Sequence, residues 1–140
     1  MKKLIIAAFV CMAISACIDP KDKEKAILND VIKIHDKVMG NDERLMQNKM
    51  KLDTLSRVDT LTKKYNPQEK ATMKALNLKL IEADKAMENW MQKFDPEQKG
   101  KSHDEIMAYL ADQKKQIMQV DSMLNMAVKE STDYLNHLKK

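Results

Sequence analysis

The chain has 140 residues, a formal charge of +4, and only two glycines and three prolines. So few turn-forming residues exclude a typical β-sheet protein and favour an all-α fold, because the abundant Lys, Leu, Met and Glu lose little rotamer freedom in a helix. The charges alternate in sign, as in residues 21–25, instead of forming a basic face, so nucleic-acid binding is not predicted.

Residues 1–17 have the pattern of a bacterial lipoprotein leader. A positive start is followed by eleven apolar or small residues from Leu4 to Ile14, a run too short for a spanning helix of about 20 residues. The run ends at Ile14-Ser15-Ala16-Cys17, which resembles a lipobox, with an aliphatic residue, two small residues and the cysteine that receives a diacylglyceryl group. We predict that residues 1–16 are a signal peptide, that cleavage falls between Ala16 and Cys17, and that Cys17 is lipidated.

Lipidation of Cys17 determines the predicted location. Each buried CH₂ contributes about 0.8 kcal/mol, so the two or three acyl chains of a lipoprotein hold it on a membrane. Cys11 is lost with the leader and Cys17 is capped, so disulfides, thiol catalysis and Cys–zinc sites are not predicted. Ile18 follows where many inner-membrane lipoproteins carry Asp, which favours the outer membrane. Residues 17–24 are predicted to be the lipidated N-terminus and a short tether.

Two breaks divide residues 25–140 into three predicted helices, at about 22–63, 67–94 and 103–138. Asn66-Pro67 and a capping box from Ser102 to Glu105 give the second and third starts. Apolar residues recur at alternating spacings of three and four, which predicts an antiparallel up-down-up three-helix bundle with long, coiled-coil-like helices. Gly40 offers a break in the first helix, but the seam keeps its phase there, which favours one helix. Asn41 and Asn48 on this seam either set its register or mark a wet stretch of core.

The segments AMENWMQKF (86–94) and SHDEIMAYL (102–110) resemble small helical lipoproteins of Bacteroidetes type, often labelled "viral A-type inclusion protein". The resemblance covers most of the chain after the leader and implies a helical lipoprotein, but it assigns no activity and no functional residues. A second comparison is with periplasmic chaperones of the Spy/CpxP type. Their repeated Leu-Thr-x-x-Gln motif has its nearest counterpart in residues 61–65, where Tyr65 replaces the Gln.

Ten of the twelve methionines lie outside the leader. We interpret them mainly as packing residues, because Met fills gaps between helices and packs on aromatic rings. The alternative is a soft-metal site for Cu(I) or Ag(I), since thioether and imidazole groups suit such ions. If the chain folds back at turns near residues 65 and 99, the candidate ligands lie at one level of the bundle, with Trp90 beside them as a cation–π wall. The candidates are His35, Met39, Met91, His103 and Met107.

The sequence carries no recognisable catalytic constellation, and we predict that the protein is not an enzyme. We expect a membrane-anchored lipoprotein that acts as a helical interaction or structural module of the cell envelope. An envelope chaperone or stress protein and a Cu(I)- or Ag(I)-binding periplasmic protein are the alternatives. Four apolar residues near the start of the first helix are predicted to lie beyond its neighbours and to receive a protein partner or a second copy: Ile27, Leu28, Val31 and Ile32.

Overall fold

The computed structural model describes residues 19–138, which form four α-helices and contain no strand. These are α1 (Pro20–Met39), α2 (Asp42–Thr62), α3 (Pro67–Lys93) and α4 (His103–His137). The predicted all-α class is confirmed. Within the described ranges, none of the helices combines the length and the apolar character needed to cross a bilayer.

The first arm of the fold is two helices, whereas the sequence favoured one helix over residues 22–63. Gly40 and Asn41 both have right-handed backbone angles, but the N–H of Asn41 donates to the carbonyl oxygen of Val38 at 2.9 Å, one residue short of helical spacing. The interruption is therefore a single tight turn. It keeps the phase of the seam, whose members on either side are fully buried at heptad spacing: Val31, Val38, Leu45 and Leu52.

Local signals account for where the helices begin. Asp19 caps α1 by accepting the N–H of Lys21 at 2.9 Å, and Pro20 suits the first turn because its missing N–H needs no partner. Residues 20–24, predicted as tether, therefore belong to α1. The predicted starts of α3 and α4 are confirmed, each with a reciprocal capping box, one between Asn66 and Glu69 and the other between Ser102 and Glu105.

Hydrogen bonds between helices define their relative directions. Side chains of α1, and of Asn41 just before α2, pair with side chains of α4 that lie 84 residues later, at Asp30–Lys114, Lys37–Asp121 and Asn41–Asn125. A constant offset means that these elements run in the same direction. The pairs between α2 and α3 instead approach in reverse order, Asp53 with Asn77 and Asp59 with Lys70, so α3 runs the opposite way.

Asn48 is a buried polar residue in the core, with 4% of its surface exposed. Its amide donates to the hydroxyls of Ser131 at 2.9 Å and Thr132 at 2.8 Å, and more weakly to the carbonyl of Val128 at 3.3 Å. Ser131 in turn donates to the carbonyl of Ala127 at 2.7 Å. The amide therefore ties α2 to α4 at one position along the seam, as a register-setting residue does.

Candidate functional site

The residues of the predicted lipidation site, Ala16 and Cys17, lie outside the described residues, so the lipobox remains a sequence prediction. The described chain starts two residues after Cys17, and α1 starts one residue later. Any anchor at Cys17 would therefore be attached almost directly to the first turn of α1.

The candidate soft-metal ligands are not brought together. His35 lies against the ring of Trp90, with the ring centroids 5.8 Å apart, whereas His103 hydrogen-bonds to Glu24 at 2.7 Å. The 84-residue offset places His35 level with position 119 of α4, which is 16 residues beyond His103 and about 24 Å along the helix. Met107 lies about one helical turn from His103, and Met39 lies about one turn from His35, so the two methionines are separated in the same way.

The segment between α3 and α4 explains this separation. The metal-site prediction assumed a tight turn near residue 99, which would place Lys79 opposite position 119 of α4. The observed partner of Lys79 is Glu130, eleven residues later. Stacked rings hold the segment against the helices: Trp90 on Phe94 at 4.7 Å and Phe94 on Tyr109 at 6.5 Å between centroids. Among residues 19–138, no three His, Cys, Asp or Glu side chains are grouped as they would be around a metal ion.

The predicted partner face on α1 is largely covered. Val31 is fully buried, Ile27 and Leu28 are half-buried, and Ile32 is 40% exposed. The prediction assumed that α1 overhangs its neighbours, but α4 runs beside it, and the segment before α4 closes over its first turns. Leu28 shares a small cavity with residues of both: Pro96, Gln98, Ile106 and Leu110.

A larger groove lies at the other end of the fold, where α2, the connection to α3 and the end of α4 meet. We call it the distal groove; it has a volume of about 600 Å³. Its walls are mostly apolar, with polar side chains of α2 at the rim. It is lined by Gln47, Met50, Lys51, Thr54, Leu55, Lys64, Tyr65, Leu135 and Leu138.

The distal groove has a basic rim. Lys51 and Lys64 line it, and no described acidic side chain does. Lys64 also lies 5.6 Å from the centroid of the Tyr65 ring, a distance at which the cation is attracted to the ring face. An anionic ligand with an apolar surface complements both features of this groove.

Asp59 holds the turn that forms one wall of the distal groove. Its carboxylate accepts the N–H of Tyr65 at 2.8 Å and pairs with Lys70 of α3 at 2.8 Å, while only 6% of the residue is exposed. The Lys70 hydrogen bond first, and the Tyr65 N–H second, lower the pKa of Asp59 below its usual value. The position of Tyr65 is thereby fixed relative to α2 and α3.

The groove is also remote from the N-terminal end of α1. Thirty residues separate Pro20 from Met50, which corresponds to about 45 Å of helix. The sequence did not reveal this site because three separate segments build it. The only signal for this groove in the sequence was local: Met50 and Leu55 lie on the same helix as Lys51. Such a pattern is too common on helices to identify a binding site.

The methionines are distributed differently from the packing interpretation. Met73 and Met87 are buried and Met107 is half-buried, but seven others are 39–65% exposed. Packing accounts for the buried methionines and in part for the four that are 39–42% exposed, but not for the three that are 55–65% exposed. The exposed methionines are Met39, Met46, Met50, Met91, Met118, Met123 and Met126.

Comparisons of the chain with family models, with curated proteins and with solved structures give no match.

Proposed function

We propose that this protein is a non-enzymatic lipoprotein of the cell envelope that presents the distal groove to an acidic amphipathic helix of a partner protein. The lipobox at residues 14–17 supports anchoring at one end, with the outer membrane as the expected location. The observation that carries the proposal is the basic, apolar groove about 45 Å along the arm from that end. The chain is thus a spacer with a receptor site at its tip.

An up-down-up three-helix bundle with a coiled-coil seam is the architecture we infer for this spacer. The constant offset between the first arm and α4, together with the heptad spacing of the buried residues from Val31 to Leu52, supports it. Neighbouring helices in such a bundle leave shallow grooves between them. At the distal end, the groove formed by α2, the connection to α3 and α4 offers a volume of about 600 Å³ to side chains of a further helix.

Charge and shape both favour an acidic helix as the occupant. A helix places apolar residues at i, i+3, i+4 and i+7 in a groove of this kind, and its flanking carboxylates would face Lys51 and Lys64. A second copy of this chain is disfavoured because its net charge is positive and the rim is basic.

The anchor is tested on the full precursor expressed in a bacterial host. Mass spectrometry of the purified product should show a new N-terminus at Cys17 that carries acyl chains, and Cys17→Ser should abolish acyl incorporation. A Cys11→Ser variant is the matched control, because this cysteine lies within the predicted leader and should leave lipidation unchanged. An unmodified thiol at Cys17 would overturn the anchoring.

The distal groove is tested with the mature protein on vesicles and a fluorescent peptide of about four helical turns. The peptide carries Leu at i, i+3, i+4 and i+7 and Glu at its flanks. Met50→Glu, and separately Lys51→Glu with Lys64→Glu, should each weaken binding by about tenfold. Met118→Glu is the control, since Met118 is similarly exposed but lies outside the groove lining. Binding should weaken as salt is added, because exposed charges are screened.

Three results would contradict this function. Equal effects of Met50→Glu and Met118→Glu would show that the peptide binds elsewhere. Equal binding of a peptide with Lys in place of Glu would show that charge does not select the partner. Displacement of the peptide by oleate, or by concentration-dependent dimerisation of the protein, would identify a lipid or a second copy as the occupant.

A further inference from the structure

Leucine and methionine are partitioned in opposite ways within the described residues. Seven leucines and two methionines are buried, whereas two leucines and seven methionines are among the exposed large apolar residues. The two exposed leucines are Leu61 and Leu78. Leucine is thus the commonest residue of the apolar core, whereas most methionines of the described chain lie at least partly at the surface.

Packing and helix propensity do not explain this partition. Leu and Met have nearly the same helix propensity, and they replace one another in cores at small cost. Lys, Glu and Gln are equally good helix formers at exposed positions and do not place apolar surface in water. The property that separates Met from all of these residues is its oxidisable thioether.

A single docking surface does not explain the exposed methionines either. They are spread over the fold, with Met39 at the end of α1, two on α2, one on α3 and three on α4. Met50 alone lines the distal groove, and Met118 and Met123 border other, smaller depressions. Met50, Met118 and Met123 therefore border three separate depressions, and one docking site does not account for them.

We propose that the exposed methionines are a sacrificial sink for two-electron oxidants, such as hydrogen peroxide and hypochlorous acid. With peroxide, the thioether sulfur donates an electron pair to one peroxide oxygen, so that an S–O bond forms and the O–O bond breaks. The departing hydroxide takes the proton from the transferred oxygen, which leaves methionine sulfoxide and water. Sulfur loses two electrons and peroxide gains them. Six of the seven methionines lie outside the lining of the distal groove, so this role does not depend on a partner in that groove.

The fold tolerates this chemistry because the reactive sulfurs are outside the core. Oxidation makes a thioether polar, which disrupts a core but costs little at an exposed site. Met73 and Met87, at 1% and 5% exposure, would be harmful to oxidise, and their burial shields them. Methionine sulfoxide is reversible by dedicated reductases, so the sink is renewable.

The test is a stepwise titration of the mature protein, anchored in vesicles of saturated phosphatidylcholine, with hypochlorous acid. Peptide mass mapping should show one added oxygen at each of the seven exposed methionines, roughly tenfold ahead of Met73 and Met87. Circular dichroism and the melting temperature should stay nearly constant until those seven are consumed. Methionine sulfoxide reductases with a thiol donor should restore the unmodified mass.

Protection is measured with an oxidation-sensitive reporter enzyme on the same vesicles. The wild type should delay reporter inactivation by roughly seven molar equivalents of oxidant, and a variant with all seven exposed methionines changed to Leu should lose the delay. Met73→Leu with Met87→Leu is the matched control and should keep it. The inference is overturned if buried and exposed methionines react alike, if unfolding accompanies the first oxidations, or if the sevenfold variant protects as well as the wild type.

Discussion

Replacement of Asn48 tests whether a buried amide fixes the alignment of α2 with α4. The amide nitrogen has two hydrogens, so two of its three contacts can be full hydrogen bonds, to Ser131 at 2.9 Å and Thr132 at 2.8 Å. Each contributes about 1 kcal/mol net, and the space left by truncation costs about 1 kcal/mol more. Asn48→Ala should therefore lower the free energy of unfolding by about 2–3 kcal/mol.

Asn48→Leu should cost clearly less, because Leu fills the space and both hydroxyls act only as acceptors toward Asn48. Ser131 keeps its own donor bond to the carbonyl of Ala127 at 2.7 Å. The expected loss is about 1 kcal/mol, since Ser131 and Thr132 each lose only an accepted hydrogen bond while Leu restores the packing. Asn48→Leu should instead allow more than one axial alignment of α2 with α4, as happens in coiled coils when a polar seam residue is replaced.

Urea unfolding followed by circular dichroism measures both variants, with an unchanged slope showing that the unfolded reference is comparable. Asn89→Ala, at an exposed position of α3, is the control and should stay within about 0.5 kcal/mol of the wild type. Equal losses for the Ala and Leu variants of Asn48 would refute the reasoning, because filling the space with Leu would then recover nothing and the hydrogen bonds alone would account for the loss.

The two glycines should respond in opposite directions to alanine. Gly40→Ala should raise the free energy of unfolding by about 0.5–1 kcal/mol, because Gly40 has helical angles and an added Cβ would lie 3.4 Å from its nearest neighbour. Gly100→Ala should lower it by about 1 kcal/mol, since its φ of +79° disfavours an L side chain; thermal melts distinguish the two signs. Asp59→Asn should destabilise the protein at neutral pH. Because the folded pKa of Asp59 is lowered, its stabilisation is present above the unfolded value of 3.8 and is lost as the pH falls through the folded pKa. The difference between wild type and variant should therefore close in acid urea titrations, and a difference that persists there would assign the effect to packing.

Several features of the fold follow from local sequence. The capping boxes at Asn66 and Ser102 and the seam from Val31 to Leu52 depend on residues within a few turns of one another, so their signals survive without knowledge of the partner helix. The predicted leader and lipidation of Cys17 depend on a signal of the same kind, the order of residues along a short stretch of chain.

The axial position of the helices was decided by tertiary contacts. Stacking of Phe94 between Trp90 and Tyr109 draws the α3–α4 connection along the molecule, and this separates His35 from His103. The apolar periodicity of a helix does not encode its axial offset from a neighbouring helix, because the two apolar faces stay in contact when one helix slides along the other.

The sequence by itself determined the helical class, the starts of α3 and α4 and most of the residues that face the seam, because propensity, capping and periodicity act over a few residues. Only the tertiary structure decided that Val31 is covered, that Met50 and Tyr65 share one groove, and that most methionines face solvent. These outcomes depend on which surfaces of distant segments pack together, because contacts with those segments determine whether a residue is buried.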